Sequence, residues 1–121
     1  MDAKENIIVK KCVEFSLDVI EYSEVLESKR KFMIANQLLK SATFVGANVF
    51  EAQHSESKAD FIHEMKIAMK EVNETIYWLI ICEQAKSYPP PLNLKIKIEE
   101  IFKIISKIIA TSKKKEQTLS N

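Results

Sequence analysis

Four segments of the chain repeat apolar residues at alternating steps of three and four positions, which is the spacing of one helix face. They cover about residues 4–26, 31–53, 58–86 and 92–112. The stripe of the first segment consists of Ile8, Val9, Cys12, Val13, Val19, Ile20 and Leu26. Helices of about 20–28 residues with short links pack as antiparallel neighbours. The sequence therefore predicts one all-α domain over residues 1–121, an antiparallel up-down-up-down four-helix bundle.

Local signals mark the ends of the third and fourth helices. Ser57 can accept a hydrogen bond from a free backbone N–H at a helix start, and Asp60 favours the positive end of the helix dipole. Three prolines at 89–91 end the third helix, because proline has no N–H and disfavours a helical predecessor. Residues 94–98 alternate like a strand, but the three-and-four spacing continues to Ile108 and predicts a helix.

The only glycine, Gly46, lies inside the second predicted helix. A glycine there costs about 0.8–1 kcal/mol relative to alanine. Two explanations are open: another helix packs closely against the small surface of Ala42 and Gly46, or the glycine reflects neutral drift. We expect close helix packing.

The third helix carries more apolar surface than one bundle needs. Residues 76–82 read IYWLIIC, and Tyr77, Trp78 and Ile81 point away from the stripe that contains Leu79. Another subunit, a different partner or the chain's own first helix would have to cover them. We favour self-association, because Trp and Tyr are enriched at protein interfaces.

Composition narrows the class of protein. The 121 residues are 46% hydrophobic and 29% charged, with one glycine and three prolines, which excludes most all-β folds and a glycine-rich phosphate loop. Cys12 and Cys82 are too few for a zinc site, and their apolar neighbourhoods indicate two reduced thiols rather than a disulfide. No segment approaches the ~18 apolar residues of a membrane span. We expect a cytoplasmic protein that does not bind membranes.

The search for catalytic chemistry finds one weak candidate. Glu51 and His54 have the Glu-x-x-His spacing of di-iron bundles, but such sites need two copies and two further glutamates. Neither His54 nor His63 accompanies a recognisable nucleophile and acid. We therefore expect no catalytic residues, no metal and no cofactor, and a protein that is not an enzyme.

Charge alone does not identify a nucleic-acid binder. The chain has 18 basic and 17 acidic residues, a net charge of +1, and Arg30 is its only arginine. The main candidates for phosphate contact are Lys10, Lys11, Lys29, Arg30, Lys31, Lys40 and Lys58. The fourth helix adds Lys95, Lys97, Lys103 and Lys107. Taken singly these are ordinary solvated residues. In an oligomer, a modest basic patch repeated around a symmetry axis would sum to a strong local field.

Residues 37–52, QLLKSATFVGANVFEA, carry the clearest likeness to a known family. Together with SKADF at 57–61 and IAMKEVNET at 67–75, this stretch resembles the four-helix-bundle proteins encoded in 23S rRNA intervening sequences. Family members typically read QLxRSAxSIxxNIAEG there. Lys40 stands in place of the usual arginine, whereas Asn48 and Glu51 match.

The resemblance covers about residues 7–110 and carries expectations of its own. It implies an antiparallel bundle that assembles as a homopentamer around a central channel. It also implies no established enzymatic activity and an association with RNA or another nucleic acid. Related proteins act as accessory subunits of diversity-generating retroelements, so an RNA-handling protein such as a reverse transcriptase is the alternative partner.

Overall fold

The computed structural model describes residues 6–120, which form four α-helices and no β-strand. The helices are α1 (Ile7–Ser28), α2 (Phe32–Ala52), α3 (Lys58–Gln84) and α4 (Leu94–Ser120). The predicted all-α class and the four helices are confirmed. The main difference is that α4 continues to Ser120 instead of ending near residue 112. The start predicted for the first helix, at Lys4, lies outside the described residues.

The four helices enclose one core. Consecutive helices lie side by side, and α1 also packs against α4. The three-and-four spacing gives each helix one apolar face. The largest side chains buried where those faces meet include Phe15, Leu26, Leu38, Val49, Met65, Leu79, Ile98 and Ile105.

The core face of α1 differs from the prediction. Val13 and Ile20, which the sequence pattern placed in the core, are 54% and 37% exposed. Phe15 and Tyr22 are buried instead, within the series 8, 12, 15, 19, 22, 26. Val13 and Ile20 each follow a member of that series by one residue, so they lie about 100° around the helix from it. The first helix therefore has two apolar stripes, of which only one faces the core.

Unusual backbone and capping geometry shape the helix ends. The Ser57 hydroxyl accepts a hydrogen bond from the backbone N–H of Asp60 at 3.1 Å, which is the predicted cap. Arg30 has φ 64°, a left-handed conformation that helps to reverse the chain between α1 and α2. Leu92 has φ 53° and follows the three prolines that separate α3 from α4.

Few polar contacts connect the helices. In the core, the hydroxyls of Ser41 on α2 and Thr75 on α3 lie 2.9 Å apart in a hydrogen bond, and both residues are fully buried. At the surface, the Lys11 ammonium pairs with Glu100, which ties α1 to α4. Exposed ion pairs of this kind contribute little to stability. Apolar burial is therefore the main force holding the bundle together.

Candidate functional site

The second apolar stripe of α1 is a prominent uncovered surface of the molecule. Val13, Leu17 and Ile20 follow one another along it, and Leu17 is 57% exposed. Val9 lies one turn before Val13 and is half-buried. Isolated apolar residues on a surface are ordinary, but a continuous row along several turns of a helix indicates a contact surface.

This stripe forms one wall of a groove between α1 and α2, which we call the α1–α2 groove. Its volume is about 300 Å³. The groove is lined by eight uncharged residues, Val9, Val13, Ser16, Leu17, Thr43, Gly46, Ala47 and Phe50. Phe50 on α2 is 48% exposed and forms part of the opposite wall. A surface groove without a charged residue in its lining is suited to an apolar protein partner.

Gly46 permits the close approach of α1 and α2 beneath this groove. A Cβ atom placed on Gly46 would lie 3.2 Å from the Cβ of Cys12 and 3.7 Å from the Ser16 hydroxyl oxygen. The neighbouring Ala42 is 1% exposed. The absence of a side chain at position 46 therefore allows α1 and α2 to pack closely at the base of the groove.

The residues predicted as an oligomer interface on α3 are partly covered by the chain itself. Trp78 is half-buried and packs against the core, with its ring edge-to-face on Tyr77 at 5.2 Å between centroids. Ile81 is also half-buried, whereas Tyr77 is 56% exposed. Only Tyr77 therefore offers a large free surface there, and sequence reasoning missed the larger surface on α1 and α2. The signal for it was the second apolar series on α1, which the prediction merged with the core series.

The basic candidates do not form one patch. Lys29, Arg30 and Lys31 make up the link between α1 and α2, which we call the basic corner. The Lys31 ammonium lies 5.3 Å from the centre of the Tyr88 ring, so this corner adjoins the link between α3 and α4. Lys58 is at the other end of α3, a helix of 27 residues. The two ends of that helix are about 40 Å apart.

The remaining candidates differ in how freely they could contact a phosphate. Lys10 is exposed on the first turn of α1. The Lys40 ammonium lies 6.0 Å from the Phe44 ring centre, and that of Lys58 lies 5.9 Å from the Phe61 ring centre. Lys11 is the one candidate held in an ion pair, with Glu100.

The residues considered for chemistry are dispersed. His54 lies beyond the end of α2 with its ring 5.4 Å from that of Phe50, and His63 is exposed on α3. Within residues 6–120, no group of three or more His, Cys, Asp or Glu side chains is placed to hold a metal ion. Cys12 and Cys82 are buried and free, and burial raises the pKa of Cys12 to about 12. In the same part of the chain, no helix has an apolar stretch long enough to cross a bilayer.

The fold and the uncharged groove define a small helical-bundle protein with a surface for apolar contact. The chain belongs to the family described as 23S rRNA-intervening sequence protein, whose model matches residues 4–109. A crystal structure from Bacteroides thetaiotaomicron is similar, at 33% sequence identity and a TM-score of 0.80, over 85% of this chain and 98% of that one. It is described as a protein with unknown function from the S23 ribosomal protein family. No curated protein matches the chain.

Proposed function

We propose that this protein is a non-enzymatic, homo-oligomeric four-helix bundle that binds RNA through basic corners brought together by assembly. The observation that carries the proposal is the α1–α2 groove, a surface between the two helices that no charged residue lines. Its occupant in this proposal is a second copy of the chain. The proposed oligomer is a pentamer, as the family resemblance implies.

The exposed groove residues support self-association on energetic grounds. Leu17, Val13 and Phe50 are each about half exposed in the single chain, at 57%, 54% and 48%. Burying apolar surface stabilises an association by about 25 cal/mol per Å² before the cost of lost freedom is counted. No charge in the groove lining has to be desolvated when a copy covers it. Tyr77 remains a second contact in this proposal, at the edge of the same assembly.

The order of contacts between α1 and α4 supports the antiparallel arrangement. Asp18 of α1 pairs with Lys97 of α4, whereas Lys11, earlier in α1, pairs with Glu100, later in α4. Contacts that step in opposite directions along two helices are those of antiparallel neighbours. The three-residue link at 29–31 supports the same relation for α1 and α2.

The basic corner is the proposed RNA contact because three consecutive cations lie together in one link, at residues 29–31. Within the described residues, Lys29, Arg30 and Lys31 make no salt bridge, whereas Lys11 does. One copy offers three cations there, which is few for a nucleic-acid surface. A ring of copies repeats the corner around its axis, and the summed field attracts phosphates without sequence preference.

Fluorescence polarisation with a labelled, structured RNA tests this proposal. We expect binding at about 50 mM salt that weakens strongly at about 200 mM, because phosphate contacts release counterions. The double variant Lys29→Gln, Arg30→Asn should weaken binding at least tenfold, since asparagine tolerates the left-handed conformation at position 30. The matched control Lys103→Gln, Lys107→Gln removes the same charge from α4 and should leave most of the affinity.

The outcomes separate RNA binding from the alternative function. If the α4 control variant loses as much RNA affinity as the corner variant, net charge alone determines binding. That result would contradict a specific role for the basic corner. An oligomer that binds no RNA at about 50 mM salt would contradict the RNA proposal. That result would favour a scaffold or accessory subunit that docks on an RNA-handling protein, for which exposed Tyr77 is the first contact to test.

A further inference from the structure

A larger cavity lies between α1 and the link that joins α3 to α4. Its volume is about 470 Å³, which is within the usual range of small-molecule sites. Tyr22 and Val25 of α1 form one side of the cavity, and the three prolines at 89–91 with Leu92 form the other. Most of the lining is therefore apolar.

The wall formed by the link is held in place. The hydroxyl of Tyr22 donates a hydrogen bond to the carbonyl oxygen of Pro89 at 2.7 Å. Burial raises the pKa of Tyr22, so the hydroxyl keeps its proton and remains a donor. The prolines restrict the backbone, and Leu92 adopts φ 53°, which is disfavoured for leucine. The hydrogen bond therefore ties the link to α1, and Val25 remains 43% exposed beside the open space.

The charged groups at the rim favour a cationic ligand. Asp18 and Glu21 of α1 contribute two carboxylates, and Lys97 of α4 is the one cation in the lining. The Lys97 ammonium already donates a hydrogen bond to Asp18. Glu21 forms no salt bridge within residues 6–120. The pKa of Lys97 is raised first by its hydrogen bond to Asp18 and less by nearby carboxylates, Glu21 among them. The Glu21 carboxylate would repel an anion, whereas the ammonium group of a ligand could donate a charge-assisted hydrogen bond to it.

We propose that this cavity binds a small organic amine that carries an apolar body. The apolar part packs between Val25 and the proline wall, and the ammonium group pairs with the Glu21 carboxylate. Proline has no N–H, so the three proline residues of the wall add no backbone donor that would compete with the ammonium group. No residue of the basic corner lines the cavity, so the proposal does not rest on the proposed RNA binding.

Phenethylamine is the probe for the test, with 3-phenylpropionate as an anion of similar size and shape. Titration of the isotopically labelled protein, followed by backbone amide shifts, should give saturable shifts at Val25 and Leu92 with phenethylamine. The anion should bind at least tenfold more weakly. Equal affinity of the two compounds, or no saturable shift at these residues with the amine, would overturn the proposal.

Matched variants locate the charge contact. Glu21→Gln should weaken phenethylamine binding about tenfold, because it removes the carboxylate charge and leaves the ammonium only a neutral carbonyl oxygen as acceptor. Glu24→Gln, on an exposed residue of the same helix outside the cavity, should leave the affinity unchanged. Leu92→Gly relieves the left-handed conformation and removes a wall, so it should weaken binding while the bundle stays folded. Unchanged affinity in Glu21→Gln contradicts the assignment.

Discussion

Replacing Leu17 by aspartate separates assembly from folding. Leu17 is 57% exposed on the α1–α2 groove, whereas Val19, two residues further along the same helix, is fully buried. In the proposed oligomer, Leu17 therefore lies at the contact between copies, whereas Val19 lies in the core of each copy. The Leu17→Asp variant should dissociate the oligomer and leave the helical bundle intact.

The size of the effect follows from the exposed fraction. Burying a whole leucine side chain stabilises by about 1.5–3 kcal/mol, so covering the exposed part of Leu17 contributes about 1–2 kcal/mol. The aspartate also carries a charge into an uncharged groove, which costs about 2 kcal/mol or more when no partner is present. Because 1.4 kcal/mol changes a dissociation constant about tenfold, the sum predicts at least a hundredfold weaker association.

Sedimentation equilibrium and far-ultraviolet circular dichroism provide the two measurements. We expect Leu17→Asp to sediment as a smaller species than the natural chain with unchanged helical content. The control is Ile96→Asp on α4, where an apolar side chain that is 67% exposed lies outside the groove. A Leu17→Asp protein that remains fully assembled, or an Ile96→Asp protein that dissociates equally, would refute the assigned interface.

Three further predictions concern the single copy. Burial and a neighbouring carboxylate raise the pKa of Glu71 above its ordinary value of 4.5, so its charge disfavours the folded state above that pH. Glu71→Gln should therefore raise the free energy of unfolding, measured in urea at pH 7, and this gain should vanish below about pH 4. An equal gain at both pH values would show that the Glu71 charge is not what destabilises the folded state. Thr75→Val should lower the free energy of unfolding by about 1–2 kcal/mol, because the buried Ser41 hydroxyl loses its partner. The double variant with Ser41→Ala should regain part of that free energy, since no hydroxyl is then left without its partner. Effects of the two substitutions that simply add would count against the contact. The buried thiols of Cys12 and Cys82 should react with a maleimide only as fast as the bundle opens, as measured by mass spectrometry; labelling at the rate of a free thiol would exclude their burial.

The helices could be predicted because one rule governs most of their residues. The stripe on α3 that includes Met65, Val72 and Leu79 has the three-and-four spacing throughout, and all three residues are fully buried. Ser57 could be predicted as a cap because the interaction is local in sequence. Its hydroxyl contacts the backbone N–H of Asp60, only three residues away.

The surfaces between helices were harder to predict, because they depend on how two helices are rotated relative to each other. Val13 and Ile20 lie next to Cys12 and Val19 in the sequence, and all four residues are apolar. From the sequence of α1 alone, one cannot tell which of the two stripes faces the core. Only the packing of α1 against both α2 and α4 decides that Phe15 turns inward. The cavity between α1 and the link of α3 and α4 depends on the left-handed Leu92 and on a hydrogen bond between Tyr22 and Pro89, residues 67 positions apart. No local pattern in the sequence signals either feature.

The basic corner shows the same limit for charge. The sequence does not distinguish Lys11 from Lys31, since each is a lysine next to another basic residue. In the structure, Lys11 pairs with Glu100 of α4, whereas the Lys31 ammonium lies over the Tyr88 ring. Which cations are free of other side chains is therefore a property of the tertiary structure, and the proposed RNA contact could not be chosen from the sequence alone.

Native mass spectrometry of the natural chain tests the central claim, which is that copies of this bundle cover one another's α1–α2 grooves. We predict a closed assembly of five copies of the 13.9 kDa chain, with a mass of about 70 kDa that persists at low micromolar concentration. A spectrum dominated by a 13.9 kDa monomer at about 100 µM would contradict the account, because the exposed groove would then have no copy to cover it.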